Sequence, residues 1–181
     1  MQLKVKRVVM GECGHAYRGA VYDGPRWLGW TKPPILMVHA VEYYYELLKS
    51  GRIKIARKIE EPVTVQDPCN IVRGRGLHEK LRYVINEICE DFRDMDPRYE
   101  HNYCCQAGGG LINCGPPWKV SRMKSNKVKA EQIVGTGAHT VITPCHNCHS
   151  GIEDIIGYYK IDAHVSFISE LLVKTIEMPE A

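Results

Sequence analysis

His139-Thr140-Val141-Ile142-Thr143-Pro144-Cys145-His146-Asn147-Cys148 reads as a β-branched run that stops at a proline and opens into a pair of cysteines. Threonine, valine and isoleucine favour an extended chain, and Pro144 has no N–H for a ladder, so a short strand ends where the thiols begin. The same order occurs twice more. Pro62 to Val65 is a short apolar run that breaks at Asp67-Pro68-Cys69-Asn70, and Lys4 to Met10 ends in Gly11-Glu12-Cys13-Gly14-His15.

Helical patterns separate these runs. Leu81, Val84, Ile85 and Ile88 make an apolar stripe in a helix over 77–92, and Cys89 extends that stripe as a buried core thiol. Val38, Val41, Tyr45 and Leu48 predict a helix over 35–48 with Gly51 as its stop. Further helices are expected over 120–134, 150–159 and 167–176, with a last strand near 163–165; the segment 23–34, with Trp27, Trp30 and two closing prolines, reads as a loop. Strands alternating with helices predict a single α/β domain over 1–181, with a mostly parallel sheet of about four strands and helices on both faces. Ligands of such sheets bind beyond the carboxyl ends of the strands. That rule places Cys13, Cys69, Cys104, Cys105, Cys145 and Cys148 at one edge.

The 181 residues are 44% hydrophobic and 25% charged, which is ordinary for a globular chain with one core. No apolar run reaches the roughly 18 residues of a membrane span, and residues 1–10 have no signal-peptide centre, so a cytoplasmic protein without direct membrane insertion is expected. A net charge of +3 is too mild to point to nucleic acid. Lys119, Arg122, Lys124, Lys127 and Lys129 cluster in one helical segment; they read as a solvated helix face, with a docking patch for an acidic partner as the sharper alternative. Eight cysteines without an export signal favour metal or redox chemistry over disulfides.

Five of them follow the order C-x34-CC-x39-C-x2-C: Cys69, Cys104, Cys105, Cys145 and Cys148. Thiolates select zinc, copper(I) or iron–sulfur clusters. Five exceed the needs of one tetrahedral zinc, and adjacent cysteines do not readily chelate a single ion, whereas they can serve two irons of one cluster. The N–H groups of Gly108, Gly109 and Gly110 could approach cluster sulfurs. Cys145-His146-Asn147-Cys148-His149 also matches the c-type haem attachment pattern, but haem leaves Cys69 and the doublet without a role. Zinc is the stronger alternative, since four of the five thiolates would hold it in a structural or assembly module.

The five cysteines, in this order and spacing, resemble the cysteine-rich domain named for its CCG motif, found in heterodisulfide reductase and its relatives. The strings Gly11-Glu12-Cys13-Gly14-His15, Cys104 to Gly110 and Pro144 to His149 are most similar to the C-terminal half of the K subunits of sulfite-reductase-linked membrane electron-transfer complexes of sulfate reducers. The resemblance implies a [4Fe-4S] cluster, non-cubane in the best-studied members, held by the five motif cysteines. It implies electron transfer with a disulfide- or trisulfide-type substrate in anaerobic sulfur respiration. Its expected partners are membrane-complex subunits and a small sulfur-carrier protein or disulfide substrate, on the cytoplasmic face of the complex. Gln106 stands where the motif has glycine, which changes a loop position and removes no thiolate. Cys13 falls where such proteins carry a further cysteine pair in their first half, and is the candidate for a catalytic thiol near cluster or substrate, with an idle structural thiol as the equal alternative. Trp27, Trp30 and Trp118 are candidates to line the substrate pocket.

Overall fold

The computed structural model describes residues 4–177. Three parallel strands form the central sheet, β3 (Val63–Val65), β4 (Thr140–Ile142) and β5 (His164–Ser166), in that spatial order. Val63 pairs with Thr140 and Val65 with Ile142, so the β3 and β4 strands end level and their following loops emerge side by side. A separate parallel pair joins β1 (Arg7–Met10) to β2 (Leu36–His39). The α/β class and parallel pairing agree with the sequence pattern, but among the described residues the strands number five and divide between two sheets.

Period-two alternation along β4 splits the interior in two. Ile142 faces α4 (His78–Ile88) and α8 (Ile168–Thr175), and Val141 faces the opposite layer. On the α4 side, Leu81, Val84, Ile85 and Ile88 meet Val63, Val65, Ile168 and Leu171. Cys89 belongs to this core, and burial pushes its thiol up to about 12. On the other side lie α5 (Trp118–Ser125), α6 (Lys127–Thr136) and α7 (His146–Tyr159), with Met123, Ile133, Ile152 and Ile155 packed around Cys105, Cys145 and Cys148.

Four local expectations differ from the structure. The run expected as one helix from Ile35 begins as β2, because Leu36 to Val38 pair with Val8 and its neighbours; α3 (Ala40–Lys49) starts only after His39. His39 is buried, its Nδ1 accepts the Val41 N–H at 3.2 Å, and Glu42 takes the His39 N–H, which makes the stop and start explicit. The segment expected as a loop from Asp23 is helical at its start: α1 (Gly14–Arg18) runs through a π turn at Gly19–Asp23 into α2 (Gly24–Trp27), with Pro25 in the first turn where its missing N–H costs nothing. The expected helix over 120–134 is two helices, broken at Asn126. Finally, α7 begins at His146 rather than near Ser150, which puts Cys145 at its N-cap and Cys148 in its first turn.

Candidate metal centre

Four loops build the site. Cys69 follows β3 after Gln66-Asp67-Pro68, and Cys145 follows β4 after Thr143-Pro144. Cys104 and Cys105 sit in an irregular segment that no strand carries, and polar ties hold it to the β3 end. Gln66 Nε2 donates to the Asp67 and Tyr103 carbonyls at 3.0 and 3.3 Å, and Arg73 donates to the Glu100 and Asn102 carbonyls, both at 2.7 Å. Asp67 accepts the Tyr99 N–H at 2.8 Å and is gripped by Arg82 of α4, whose guanidinium also binds Asp94 at 2.7 Å. Arg82 and Asp67 are both buried, so the pair replaces water for both charges while it positions the residue two before Cys69.

All five motif cysteines line one small cavity of about 20 Å³, together with His15, Pro68, Asn70, Gly108 and Asn147. Their sulfurs form a row: Cys69 neighbours Cys104, Cys104 neighbours Cys105, Cys105 lies 3.2 Å from Cys148, and Cys148 neighbours Cys145. Thiol–thiol hydrogen bonds split the row electrostatically. The Cys105 and Cys69 thiols hold Cys104 down, and Cys148 followed by the amides of Cys148, Gly14 and Asn147 pulls Cys145 down to about 5. Cys69, Cys105 and Cys148 are pushed up by the same neighbours and by burial. Two sulfurs thus favour the anion, and bringing all five to thiolate requires positive charge in the cavity, the demand a cationic metal group meets. Among the described residues, no group of three or more Cys, His, Asp or Glu side chains is arranged so that it would hold a metal ion as it stands. The row suits a polynuclear group with ligands spread along it better than one tetrahedral ion.

The doublet's loop is closely packed. Gly151 of α7 lies under it, and a Cβ there would meet the Ala107 Cβ at 2.7 Å and the Cys105 carbonyl at 3.1 Å. Gln106, in the place of the motif's glycine, has φ of 53°, the left-handed region in which glycine carries no steric cost, and its Oε1 accepts from Ser125 at 2.6 Å. The N–H of Gln106 donates to Cys104 at 3.2 Å, and that of Ala107 to Cys105. These two residues, rather than the Gly108 to Gly110 run, supply the donors seen at the doublet. Gly108 lines the cavity beneath the His15 ring, while Gly109 and Gly110 are exposed and left-handed and shape the turn.

Cys13 is not among the residues lining the cavity; its sulfur caps α1, accepting the Ala16 N–H at 3.5 Å. Its neighbours reach further. Gly14 directs its amide at Cys145, and His15 is hydrogen-bonded through Nδ1 to Asn147 Nδ2 at 3.2 Å. Glu12 accepts the Ile168 and Ser169 amides at the start of α8 at 2.9 and 2.8 Å, and its carbonyl accepts the His146 N–H at 2.9 Å. Burial raises the Glu12 carboxyl. In the sequence, Glu12, Gly14 and His15 were marked by their adjacency to Cys13 and by the Gly11 to His15 string of the resemblance. His146 and His149 stack on Phe167 away from the cavity, and Trp27, Trp30 and Trp118 are 81%, 45% and 61% exposed, none of them lining it. Cys114 is exposed as well.

The basic cluster does not form a face. Arg122 is buried and paired with Asp154, Lys119 reaches the same carboxylate at 2.7 Å, and Lys129 is 1% exposed. Lys124 and Lys127 are exposed, and Lys127 lies 3.5 Å from Glu131.

The family model for the cysteine-rich domain called CCG matches residues 63–153. The chain is 30% identical over 177 residues to a dihydromethanophenazine:CoB–CoM heterodisulfide reductase subunit of Methanosarcina mazei, covering 97% of this chain and 42% of that protein. It is 26% identical to the Hdr-like menaquinol oxidoreductase iron–sulfur subunit of Archaeoglobus profundus, covering 94% of this chain and 37% of that one. The chain therefore spans less than half the length of these curated relatives. Among solved structures, glutamate racemase RacE1 of Bacillus anthracis superposes with a TM-score of 0.43 at 10% identity, covering 93% of this chain and 55% of that one, too low to carry an argument. No helix among the described residues is long and apolar enough to cross a membrane.

Proposed function

Because this chain belongs to the cysteine-rich domain family CCG, we propose that Cys69, Cys104, Cys105, Cys145 and Cys148 hold an iron–sulfur cluster of [4Fe-4S] type. On this reading the chain is the C-terminal cysteine-rich half of a heterodisulfide-reductase-type architecture. It exchanges electrons with a disulfide- or trisulfide-type substrate, alongside subunits of a membrane complex and a small sulfur-carrier protein, in anaerobic sulfur respiration. The observation that carries the proposal is the unbroken row of five thiols in one cavity. The relatives' names, a heterodisulfide reductase subunit and an iron–sulfur subunit, support the same class. When bound, the cluster supplies single electrons and a site for sulfur fragments.

The protein's own residues give that group its setting. Arg82 and Asp67 position the Cys69 loop, the amides of Gln106 and Ala107 donate to the doublet, and the first turn of α7 presents Cys145 and Cys148. Protein purified without oxygen should be brown and contain iron and acid-labile sulfide, and Cys105→Ala should lose both. Full iron and sulfide in Cys105→Ala would refute the ligand role of Cys105. Colourless wild-type protein with stoichiometric zinc and no sulfide would overturn the cluster reading.

A further inference from the structure

Among the described residues, Lys129 is a buried cation beside the thiol row to which the proposed function gives no part. Its side chain is 1% exposed, and the hydrogen-bond partner of its Nζ is a thioether, Met95 Sδ at 3.6 Å. A buried ammonium carries three donors and loses its hydration, so oxygen acceptors or an anion normally surround it. Neither is supplied from its own layer: Met95 shares its packing with Cys105, Cys145 and Cys148, Ala107, Met123 and Ile133. Asp67 lies close enough to act on Lys129, but its oxygens are committed to Arg82 and the Tyr99 amide.

The helix that carries Lys129 reaches the doublet, and Cys105, Cys148 and Cys104 follow Asp67 among the groups whose charge acts on Lys129. Asn126, three residues earlier at the junction of α5 and α6, donates Nδ2 to the Cys105 carbonyl at 3.2 Å, which fixes α6 against that loop. We propose that Lys129 is an internal counter-charge of the metal centre, a positioning residue whose ammonium offsets the negative charge gathered on Cys104, Cys105 and Cys148 and so sets the reduction potential of the group they hold. This rests on the cluster reading above. An electron added to the cluster raises its negative charge, and a fixed cation in a low-dielectric layer stabilises that form more than the oxidised one. The burial of Lys129 is then explained by the anion it faces rather than by packing of its stem.

The test compares Lys129→Met, which keeps the length and removes the charge, with Lys129→Arg, which keeps the charge. Both are purified without oxygen, assayed for iron and sulfide, and titrated with reductant against mediator dyes. The expected result is a more negative midpoint potential in Lys129→Met, with Lys129→Arg near the wild type. The metal-free form of Lys129→Met should unfold at the wild-type temperature or above it, since an uncompensated charge is gone. Should Lys129→Met fold but take up no cluster, loading of Lys129→Arg supports the counter-charge role, and failure of both to load overturns it in favour of stem packing. Lys129→Gln makes the same comparison if Lys129→Met does not fold. An unmoved potential in a loaded neutral variant overturns the role of Lys129 alone, whereas a wild type without iron and sulfide overturns the cluster reading itself.

Discussion

The two sides of the central sheet are built from different materials. The α4–α8 side is branched aliphatic, with Val63, Val65, Leu81, Ile85 and Ile168 in close contact. The α6–α7 side interleaves its aliphatics with Met95, Ala107, Met123 and three thiols, and holds a buried lysine and asparagine. Close-packed aliphatic contacts hold the chain folded, while small, soft, polarisable side chains supply the donor atoms that a metal group uses. Stability and chemistry are therefore placed on opposite faces and can be broken separately.

The largest effect is expected where the two faces are tied together. Arg82→Met leaves Asp67 as a buried carboxylate without its ion-pair partner and leaves Asp94 with Arg98 alone, and should cost about 3–5 kcal/mol in denaturant unfolding while lowering iron content through the Cys69 loop. A loss below about 1 kcal/mol would show the two faces to be independent even at this link. On the aliphatic side, Ile85→Ala should cost about 2–5 kcal/mol, equally in metal-free and metal-loaded protein. A cost seen only in the loaded form would blur the division.

Acid should act through His39, which lies outside the thiol side. Burial lowers its pKa from 6.5 to about 4, so between those values the unfolded chain binds the extra proton and stability falls with falling pH. That loss, on the order of 3 kcal/mol, should appear in metal-free protein, and His39→Asn, which keeps a capping side chain, should flatten it. An unchanged pH slope in His39→Asn would assign the acid sensitivity elsewhere. The smallest effect is on the thiol side: Gln106→Gly removes a side chain from a left-handed position and should stabilise by up to about 1 kcal/mol, less what the Ser125 hydrogen bond contributes. A loss greater than about 1 kcal/mol would make that hydrogen bond a main support of the loop.

Legibility followed the same division. Short-range patterns were enough for β1, β3, β4, the α4 stripe and Cys89, because period and breaker residues act within a few positions. The convergence of Cys69, Cys145 and Cys148 followed from strand ends and topology. β2 was hidden because Ile35 to Val38 is a continuous apolar run that a helix pattern absorbs, and only its pairing with β1 distinguishes it. Arg122 and Lys129 read as part of a solvated helix face, and nothing in the sequence marked Arg82, since burial of a charge depends on partners far away in sequence. The Asn126 break reflects a side chain turned to the Cys105 carbonyl, a contact across 21 positions.

Glu12 adds a consequence for the order in which the protein matures. Its carboxylate closes the start of α8 across 157 positions, and its carbonyl holds the first amide of α7. During synthesis, which delivers about 5–20 residues each second, the Gly11 to His15 segment must wait until α8 has left the ribosome before Glu12 can be fastened to it. The tie between Glu12 and α8 is thus made only after all five motif thiols have left the ribosome.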